Sequence, residues 1–361
     1  MKREFHAEYE MRQATAEGVN RLAQNTSMVA HARGLLLASL RDTRYHEMAR
    51  SAWQSIGERE LSPRGFDSAL QTMRDLGVRE PDGGALAAMP AGSWLLSLPF
   101  RLRKPYISRD DAEFHVLDNP IRKEKVFQVP TVAASSWKGS LHATALRWLV
   151  PRQAADHGGL FRRRARLVRL FGSEEKSAAT FLDSLIAGRL YGTTKRAAEI
   201  GEEFTAHLKK EGYLQDNVEG RRGRLEFFSS FFNAVGYEVI NPHARDRKVG
   251  RNPILFECVP RGTAGRFDLA YVPFGAERAA VAQQAASDFD QCFRYAIVML
   301  TAEGFGAKTS SGFGVADRNF LPTPGSLHLR QRTGVVKIEI ASFDVKTAVD
   351  SAKLAFAGVE P

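Results

Sequence analysis

The sequence predicts an α+β protein, in which a helical N-terminal unit precedes a mixed helix-and-sheet unit. Up to about residue 80, apolar residues recur every three or four positions, as in "SMVAHARGLLLASL" and "FDSALQTMRDLG", which is the period of an amphipathic helix. From residue 93 the pattern becomes that of strands and turns, and a Gly- and Pro-containing stretch, 81–92, lies between the two parts. We therefore predict a helical unit at 1–90 and an α+β unit at 91–361.

Positive charge is concentrated in the second unit. The 361 residues include 51 Lys+Arg and 41 Asp+Glu, a net charge of +10. Residues 1–90 contain twelve residues of each sign, so the whole excess lies after residue 90. Such an excess favours a polyanionic partner, commonly nucleic acid.

The two cysteines, Cys258 and Cys292, are far apart and surrounded by apolar residues. They have no metal-binding or disulfide spacing, so we expect reduced thiols. The N-terminus has no apolar signal region, and no apolar run approaches the length of a membrane span. The sequence therefore predicts a cytoplasmic protein with no membrane partner.

The second unit begins with a strand pattern at 93–107, in which Arg101 and Arg103 alternate with apolar residues. An irregular segment, 108–130, follows it. Helical patterns then span 135–150 and 161–172, and the second of these includes five arginines, for which a solvated face is the ordinary explanation.

Strand patterns return at 223–233 and 237–243. The stretches "PILFECVP" and "GRFDLAYVPF", joined by residues 261–264, predict a hairpin. A long amphipathic helix at 276–302 and a strand near 335–344 complete the pattern. This β–α–β–β–α–β order predicts a ferredoxin-like (RRM-like) sheet.

Two stretches could bind phosphate. In "EGFGAKTSSGFG" (303–314) the glycines around Lys308 allow consecutive N–H groups to face one anion, although the stretch lacks both the Walker A and the dinucleotide-binding pattern. In "SSWKG" the hydroxyls of Ser135 and Ser136 and the ammonium of Lys138 begin a helix, where its dipole favours anions. Taken singly, the favoured explanations are a glycine-rich turn for the first stretch and, for the second, an ordinary helix cap by Ser135 or Ser136 beside an exposed lysine.

Four stretches in a fixed order carry a family resemblance. They are "LDNPI…VPTVAASSWKGSLHATALR" (117–147), "LFGS" (170–173), "EVINPH" with "NPILFECVPRGT" (238–243 and 252–263), and "GFGAKTSSGFG" (304–314). Together they resemble the RAMP superfamily, in particular the backbone-type subunits of type III CRISPR RNA-guided effector complexes. The resemblance covers about residues 94–316. It departs from the family at 132–134, where Ile-Pro-Gly is common, and at Trp137, where leucine is common.

The resemblance implies a RAMP core with a thumb-like insertion, which binds CRISPR RNA along its backbone beside other RAMP-type and effector-complex subunits. By position, Asp118 matches the aspartate that cleaves the paired target RNA with a divalent metal, Mg²⁺ or Mn²⁺, and it would be a ligand of that metal. The chemistry is plausible, since a carboxylate can accept the proton of a 2′-hydroxyl. The basic neighbours of Asp118 would favour its charged form.

The predicted RNA contacts are cations, hydroxyls and one glycine. They are Arg101, Arg103, Lys104, Arg122, Lys123, Lys125, Ser135, Ser136, Lys138, Gly306 and Lys308. Trp137 or Phe127 could stack on a base, or belong to the core.

Alternatives remain open at this point. Asp118-Asn119-Pro120 is also an ordinary turn sequence, which would leave a structural, capping subunit without chemistry. Asp110 and Asp111 could bind metal or be solvated loop acids. A third possibility is a standalone, metal-independent endoribonuclease that processes guide RNA and uses His115 or His142.

Overall fold

The computed structural model describes residues 15–25, 30–40, 44–60, 63–109, 116–117, 119–150, 156–213, 220–241, 253–275, 280–318 and 323–359. Its helices are α1 (Ala16–Gln24), α2 (Ala30–Ala38), α3 (His46–Glu60), α4 (Pro63–Asp75), α5 (Ala134–Arg147), α6 (His157–Phe171), α7 (Lys176–Tyr191), α8 (Ala197–Lys210), α9 (Val281–Val298) and α10 (Val345–Phe356). Its strands are β1 (Trp94–Arg101), β2 (Thr131–Val132), β3 (Leu225–Phe227), β4 (Ser230–Phe231), β5 (Gly236–Ile240), β6 (Ile254–Cys258), β7 (Ala264–Tyr271), β8 (Gly325–Arg330) and β9 (Val335–Ile340).

A five-stranded antiparallel sheet, in the order β3-β7-β1-β8-β9, organises this architecture. Strand β1 pairs with β7 along its whole length and with β8 through Trp94–Ser97. Alternate residues of β1 belong to the main core, where Trp94 meets Phe289 of α9 and Phe100 meets Trp137 of α5. The period of two in the sequence therefore places one sheet face against these two helices.

The connections between the strands are helical. Helix α5 lies in the chain between β1 and β3, and α9 lies between β7 and β8. Across the sheet these four strands follow one another as β3, β7, β1 and β8, which are the second, third, first and fourth of them in the chain. The predicted mixture of helices and sheet is confirmed.

The predicted hairpin between "PILFECVP" and "GRFDLAYVPF" is wrong. Strand β6 pairs with β5 in a separate two-stranded ribbon, whereas β7 pairs with β1 and β3. The reason is the continuation of β1: Tyr106 exchanges backbone hydrogen bonds with Val259, and the Gly262 N–H donates to the Leu102 carbonyl. The chain between β6 and β7 thus runs along residues 102–106, which keeps β6 and β7 apart.

The sequence patterns missed helices α7, α8 and α10 and strand β8. Helices α6, α7 and α8 share a small core of their own, to which Phe161, Ile186 and Phe204 belong. Arg164 of α6 lies within this group and binds Glu174 and Asp183, with its side chain 2% exposed.

The prediction of a solvated arginine face on α6 is wrong for Arg164 and for Arg169. The Arg169 guanidinium makes a bidentate contact with Asp288 of α9, whose side chain is fully buried. Tyr271 also donates a hydrogen bond to Asp288, at 3.0 Å. The pKa of Tyr271 is raised, mainly by burial and secondly by the negative charge of Asp288. Arginine on a helix face therefore serves partly as an internal counter-charge here.

Helices α1–α4 all lie before residue 90, whereas the division into units at 1–90 and 91–361 stays a prediction. Phe66 and Met73 of α4 belong to the main core, beside the sheet. Helices α1, α2 and α3 form a second cluster that also contains Val116 and Leu117. The stretch 81–92 includes a 3-10 helix, Gly83–Ala88, that contacts β8 and β9, so the two parts are packed together.

Both cysteines are buried and free. Burial raises the pKa of the Cys258 thiol to about 12. Within the described residues, no helix is both long enough and apolar enough to cross a lipid bilayer.

Candidate nucleic-acid interface

The glycine-rich loop, residues 304–314, follows α9 through one π-helical turn. Its positive-φ glycines are Gly304, Gly306, Gly312 and Gly314. Space also requires glycine, because a Cβ on Gly306 would lie 2.4 Å from the Tyr106 ring and one on Gly314 would lie 1.9 Å from the Phe305 carbonyl oxygen. Close backbone packing therefore fixes the shape of this loop.

Replacing Gly314 with alanine is expected to lower the free energy of unfolding by about 2–4 kcal/mol, because the new Cβ adds both a steric clash and a strained φ. Urea unfolding followed by circular dichroism measures this. Gly139 is the matched control: it lies in α5 with no atom within 4 Å of its hypothetical Cβ, and alanine there is expected to stabilise by up to about 1 kcal/mol. Equal stability of the two variants would contradict the packing argument.

The loop is hydrogen-bonded to the segment that continues β1. The Arg103 N–H donates to the Val315 carbonyl at 2.8 Å, and the Ala307 N–H donates to the Ile107 carbonyl at 2.7 Å. A Cβ on Gly312 would lie 3.9 Å from the Lys104 ammonium. The structure thus brings the basic end of β1 beside the glycine-rich loop, as the sequence interpretation requires.

Lys308 stands at the exposed turn of the loop. It adopts a left-handed conformation, with φ 56° and ψ 31°, which is costly for a residue other than glycine. Its ammonium lies 5.2 Å from the centre of the Phe256 ring in β6, within cation–π range. The contact with Phe256 holds the Lys308 side chain in place, and the sequence motifs did not predict this contact.

Helix α5 contributes the third element. Trp137 is fully buried, and its ring centre lies 4.5 Å from that of Phe305 in the loop. Its Nε1–H donates to Ser230, so Trp137 is a core residue rather than a base-stacking one. The helix begins at Ala134 and has no side-chain cap, so the predicted cap by Ser135 or Ser136 is wrong. Both serines lie in the first turn.

Glu303, directly before the loop, ties the loop to α5. Its carboxylate accepts a hydrogen bond from Thr144 Oγ1 at 2.5 Å and forms an ion pair with Arg147. Lys138 and Ser135 are exposed at the other end of the same helix. One carboxylate therefore joins the two candidate phosphate-binding elements.

Comparison with known families decides the classification. The RAMP superfamily model matches residues 82–317, well over half of the chain. This protein belongs to the RAMP superfamily. The match includes all of the candidate interface described so far, whereas helices α1–α4 precede it. A comparison with curated proteins finds no match.

Three solved structures illustrate what this RAMP protein resembles. A cryo-EM structure of the Type III-B Cmr-beta bound to cognate target RNA is 14% identical, covers 93% of both chains and has a TM-score of 0.33. A crystal structure of Cmr6 from Pyrococcus furiosus is 14% identical, over 62% of this chain and 99% of that one, with a TM-score of 0.29. A Csm3–Csm4 subcomplex of the type III-A CRISPR-Cas interference complex is 11% identical, over 73% and 97%, with a TM-score of 0.35. Scores this low carry no argument about function.

Residues 119–131 of the RAMP protein form a compact turn beside the interface. The Arg122 N–H donates to Ser108 Oγ at 2.9 Å, which places the exposed Arg122 next to the end of the β1 continuation. Lys125 is also exposed. Lys123 differs: its ammonium binds Glu257 at 2.6 Å, and its side chain is 9% exposed. This buried ion pair explains Lys123 better than RNA contact does.

The candidate acid, Asp118, lies outside the described residues, as do Asp110, Asp111 and His115. In the part of the chain that the structure describes, no group of three or more His, Cys, Asp or Glu side chains could hold a metal ion. Metal binding at position 118 therefore stays a prediction.

Two further candidate residues, His142 and Phe127, pack against the protein interior. The His142 ring packs 4.7 Å from that of Phe171, and burial lowers its pKa. Phe127 is only partly buried and packs against the main core. Neither contact indicates a catalytic or base-stacking role.

Sequence reasoning missed Glu257, whose side chain is fully buried. A signal was available: in "ILFEC" the alternation puts Glu257 on the same strand face as Leu255, which packs against the N-terminal cluster. A carboxylate on an apolar strand face needs an internal partner.

Proposed function

We propose that this RAMP protein binds the sugar-phosphate backbone of a guide RNA, as one subunit of a type III CRISPR effector complex. The observation that carries the proposal is the hydrogen-bonded pairing of the glycine-rich loop with residues 101–107. This pairing gathers four exposed cations: Arg101, Arg103, Lys104 and Lys308. The partners of this protein in the complex would be CRISPR RNA, target RNA and other RAMP-type and effector-complex subunits.

The chemistry of these groups suits a phosphate backbone better than bases. Lysine and arginine attract phosphate without regard to sequence. The first turn of α5 adds its N-terminal dipole, the hydroxyls of Ser135 and Ser136 and the ammonium of Lys138. In the described part of the interface, the large rings of Trp137 and Phe305 are buried, so base stacking has little support there.

A ferredoxin-like core is part of the proposal. The order β3-β7-β1-β8 across the sheet, with α5 and α9 as connections, supports it. The segment 108–130 would be the thumb-like insertion. Its Arg122 N–H donates to Ser108, and Ile107, directly before the segment, accepts the Ala307 N–H of the glycine-rich loop.

Target cleavage by Asp118 is the second half of the proposal. The Asp118 carboxylate would accept the proton of the 2′-hydroxyl as the 2′-oxygen attacks the adjacent phosphorus. The bond from phosphorus to the 5′-oxygen would break, leaving a 2′,3′-cyclic phosphate, and the released 5′-oxygen would take a proton from water. Arg122 and Lys125, exposed a few residues further along, would stabilise the charge that develops on the phosphate oxygens. Magnesium or manganese at Asp118 would polarise that phosphate; this is tested by chelation, since EDTA should then stop cleavage without releasing the guide.

The standalone, metal-independent alternative finds no support at His142, because that ring is packed on Phe171. The non-catalytic alternative is separated from the proposal by the Asp118 experiment described in the Discussion.

Removing the four gathered cations should weaken RNA binding and its salt dependence together. A variant with Arg101→Gln, Arg103→Gln, Lys104→Gln and Lys308→Gln loses about 0.7 per lost contact from the slope of log K against log salt, roughly 3 in all. Fluorescence anisotropy with a labelled single-stranded RNA, at several salt concentrations, measures the slope.

A matched control removes the same charge elsewhere. Lys176, Lys195, Lys209 and Lys210 are exposed on and between α7 and α8, and their replacement by glutamine should leave the slope nearly unchanged. If both quadruple variants lose the same slope, binding follows net charge rather than this interface, and the proposal fails. Small RNAs of uniform length that co-purify with the wild-type chain would identify the guide.

A further inference from the structure

A buried carboxylate links the N-terminal helices to the segment around position 118. The Glu257 side chain is fully buried at the end of β6. Its Oε1 accepts the Trp53 indole N–H at 2.8 Å, and its Oε2 accepts the Ile121 backbone N–H at 3.2 Å and the Lys123 ammonium at 2.6 Å. One side chain thus binds helix α3 and the segment that follows residue 118.

The described residues on both sides of position 118 are held by further contacts. The Asn119 carbonyl accepts the Glu257 backbone N–H at 3.0 Å. Before position 118, Val116 and Leu117 are buried in the cluster formed with α1, α2 and α3. His46 Nε2 of α3 lies 3.3 Å from the Val116 carbonyl oxygen, which accepts a hydrogen bond from the tautomer that carries its proton on Nε2. Before position 118 the chain therefore packs on the N-terminal helices, and after it the chain is bound to Glu257, which Trp53 of α3 holds.

These helices precede the part of the chain that matches the RAMP superfamily, residues 82–317. We propose that Glu257, held by Trp53, is a positioning residue: it holds residues 119–123 against α3, and cleavage by the neighbouring Asp118 depends on that anchoring. The inference rests on the proposed cleavage role of Asp118. It gives α1–α3 a function, which is to act as the platform for the cleaving segment.

The arrangement suits positioning because it is specific in geometry and sheltered from water. Three donors converge on one carboxylate, and one of them, Lys123, is itself almost buried. Glutamine has the same shape, but its NH₂ group would face N–H donors and could not neutralise Lys123. A Glu257→Gln chain should therefore keep its core while segment 119–123 loosens.

The experiment combines two readouts on full-length chain assembled in its complex. Amide hydrogen exchange of peptides spanning 116–123 should speed up roughly tenfold or more in Glu257→Gln, because the Ile121 N–H loses its acceptor. Single-turnover cleavage of target RNA should slow by roughly ten- to a hundredfold, the cost of a misplaced catalytic group. Guide RNA affinity should stay within about twofold, since the gathered cations are unchanged.

The matched control is Glu238→Gln. Glu238 lies in the same ribbon, paired with Phe256, and its loss changes net charge equally. A milder variant, Trp53→Phe, keeps an aromatic ring and removes only the indole donor, so it provides the test if Glu257→Gln does not fold. Both exchange and cleavage should change in Trp53→Phe in the same direction as in Glu257→Gln, and neither in Glu238→Gln.

The possible results separate the two proposals. Unchanged exchange at 116–123 in Glu257→Gln and Trp53→Phe overturns the anchoring itself. Faster exchange with normal cleavage, in a system where Asp118→Asn abolishes cleavage, overturns the positioning role while the proposed function stands. Normal cleavage by Asp118→Asn overturns the proposed function, and the positioning role with it.

Discussion

The Asp118→Asn chain is expected to assemble with guide RNA normally but to cleave paired target RNA about 10²–10⁴-fold more slowly, the range lost with a general base. Asparagine keeps the shape of the side chain and the turn that precedes Pro120, but an amide cannot accept the proton of a 2′-hydroxyl. Single-turnover cleavage of an end-labelled target by the reconstituted complex measures the rate.

Asp110→Asn is the control for this variant, since it removes one carboxylate from the same segment. It should cleave at nearly the wild-type rate if Asp118 is the acting group. A wild-type rate for Asp118→Asn would leave the protein as a structural, guide-binding subunit. Loss of activity in both variants would indicate that the segment needs its acids jointly, as a metal site does.

Replacing Asp288 with alanine is expected to cost about 3–5 kcal/mol of folding free energy, since it leaves buried arginine without its counter-charge. The Asp288 side chain is fully buried, Arg169 makes its bidentate contact there, and Arg224 approaches to 3.8 Å with its own side chain 1% exposed. Tyr271 would lose an acceptor at the same point. Guanidinium-induced unfolding followed by tryptophan fluorescence measures the loss.

The control lies two residues further along the same helix. Asp290 pairs with Arg294 at 2.8 Å, but both side chains are partly exposed, at 25% and 39%. Asp290→Ala is expected to cost less than about 1 kcal/mol, as surface ion pairs do. Comparable losses in the two variants would show that the Asp288 network contributes little to stability.

Much of the architecture could be predicted because it is local. The alternation in 93–107 gave β1, and the apolar spacing in 276–302 gave α9. Strand pairing is not local: β6 and β7 are adjacent in sequence, yet β6 pairs with β5, and the connection between β6 and β7 pairs with residues 102–106. No periodicity contains that information.

The candidate interface shows the same division. The order of the motifs led to the glycine-rich loop and to the basic end of β1, and the structure brings these together. Lys123 looked like any other cation in "IRKEK", because its partner, Glu257, is 134 residues away in the chain. Burial of Arg169 on α6 was hidden for the same reason, since Asp288 belongs to α9.

Glu303 has a mechanical consequence. Because its carboxylate holds Thr144 and Arg147 while its backbone leads into Gly304, helix α5 and the loop cannot shift independently. Under the proposed function, the glycine-rich loop and helix α5 would then contact one RNA strand at two points with a constant distance between them. Such a pair would respond to the spacing of the phosphates along a polynucleotide and not to its base sequence.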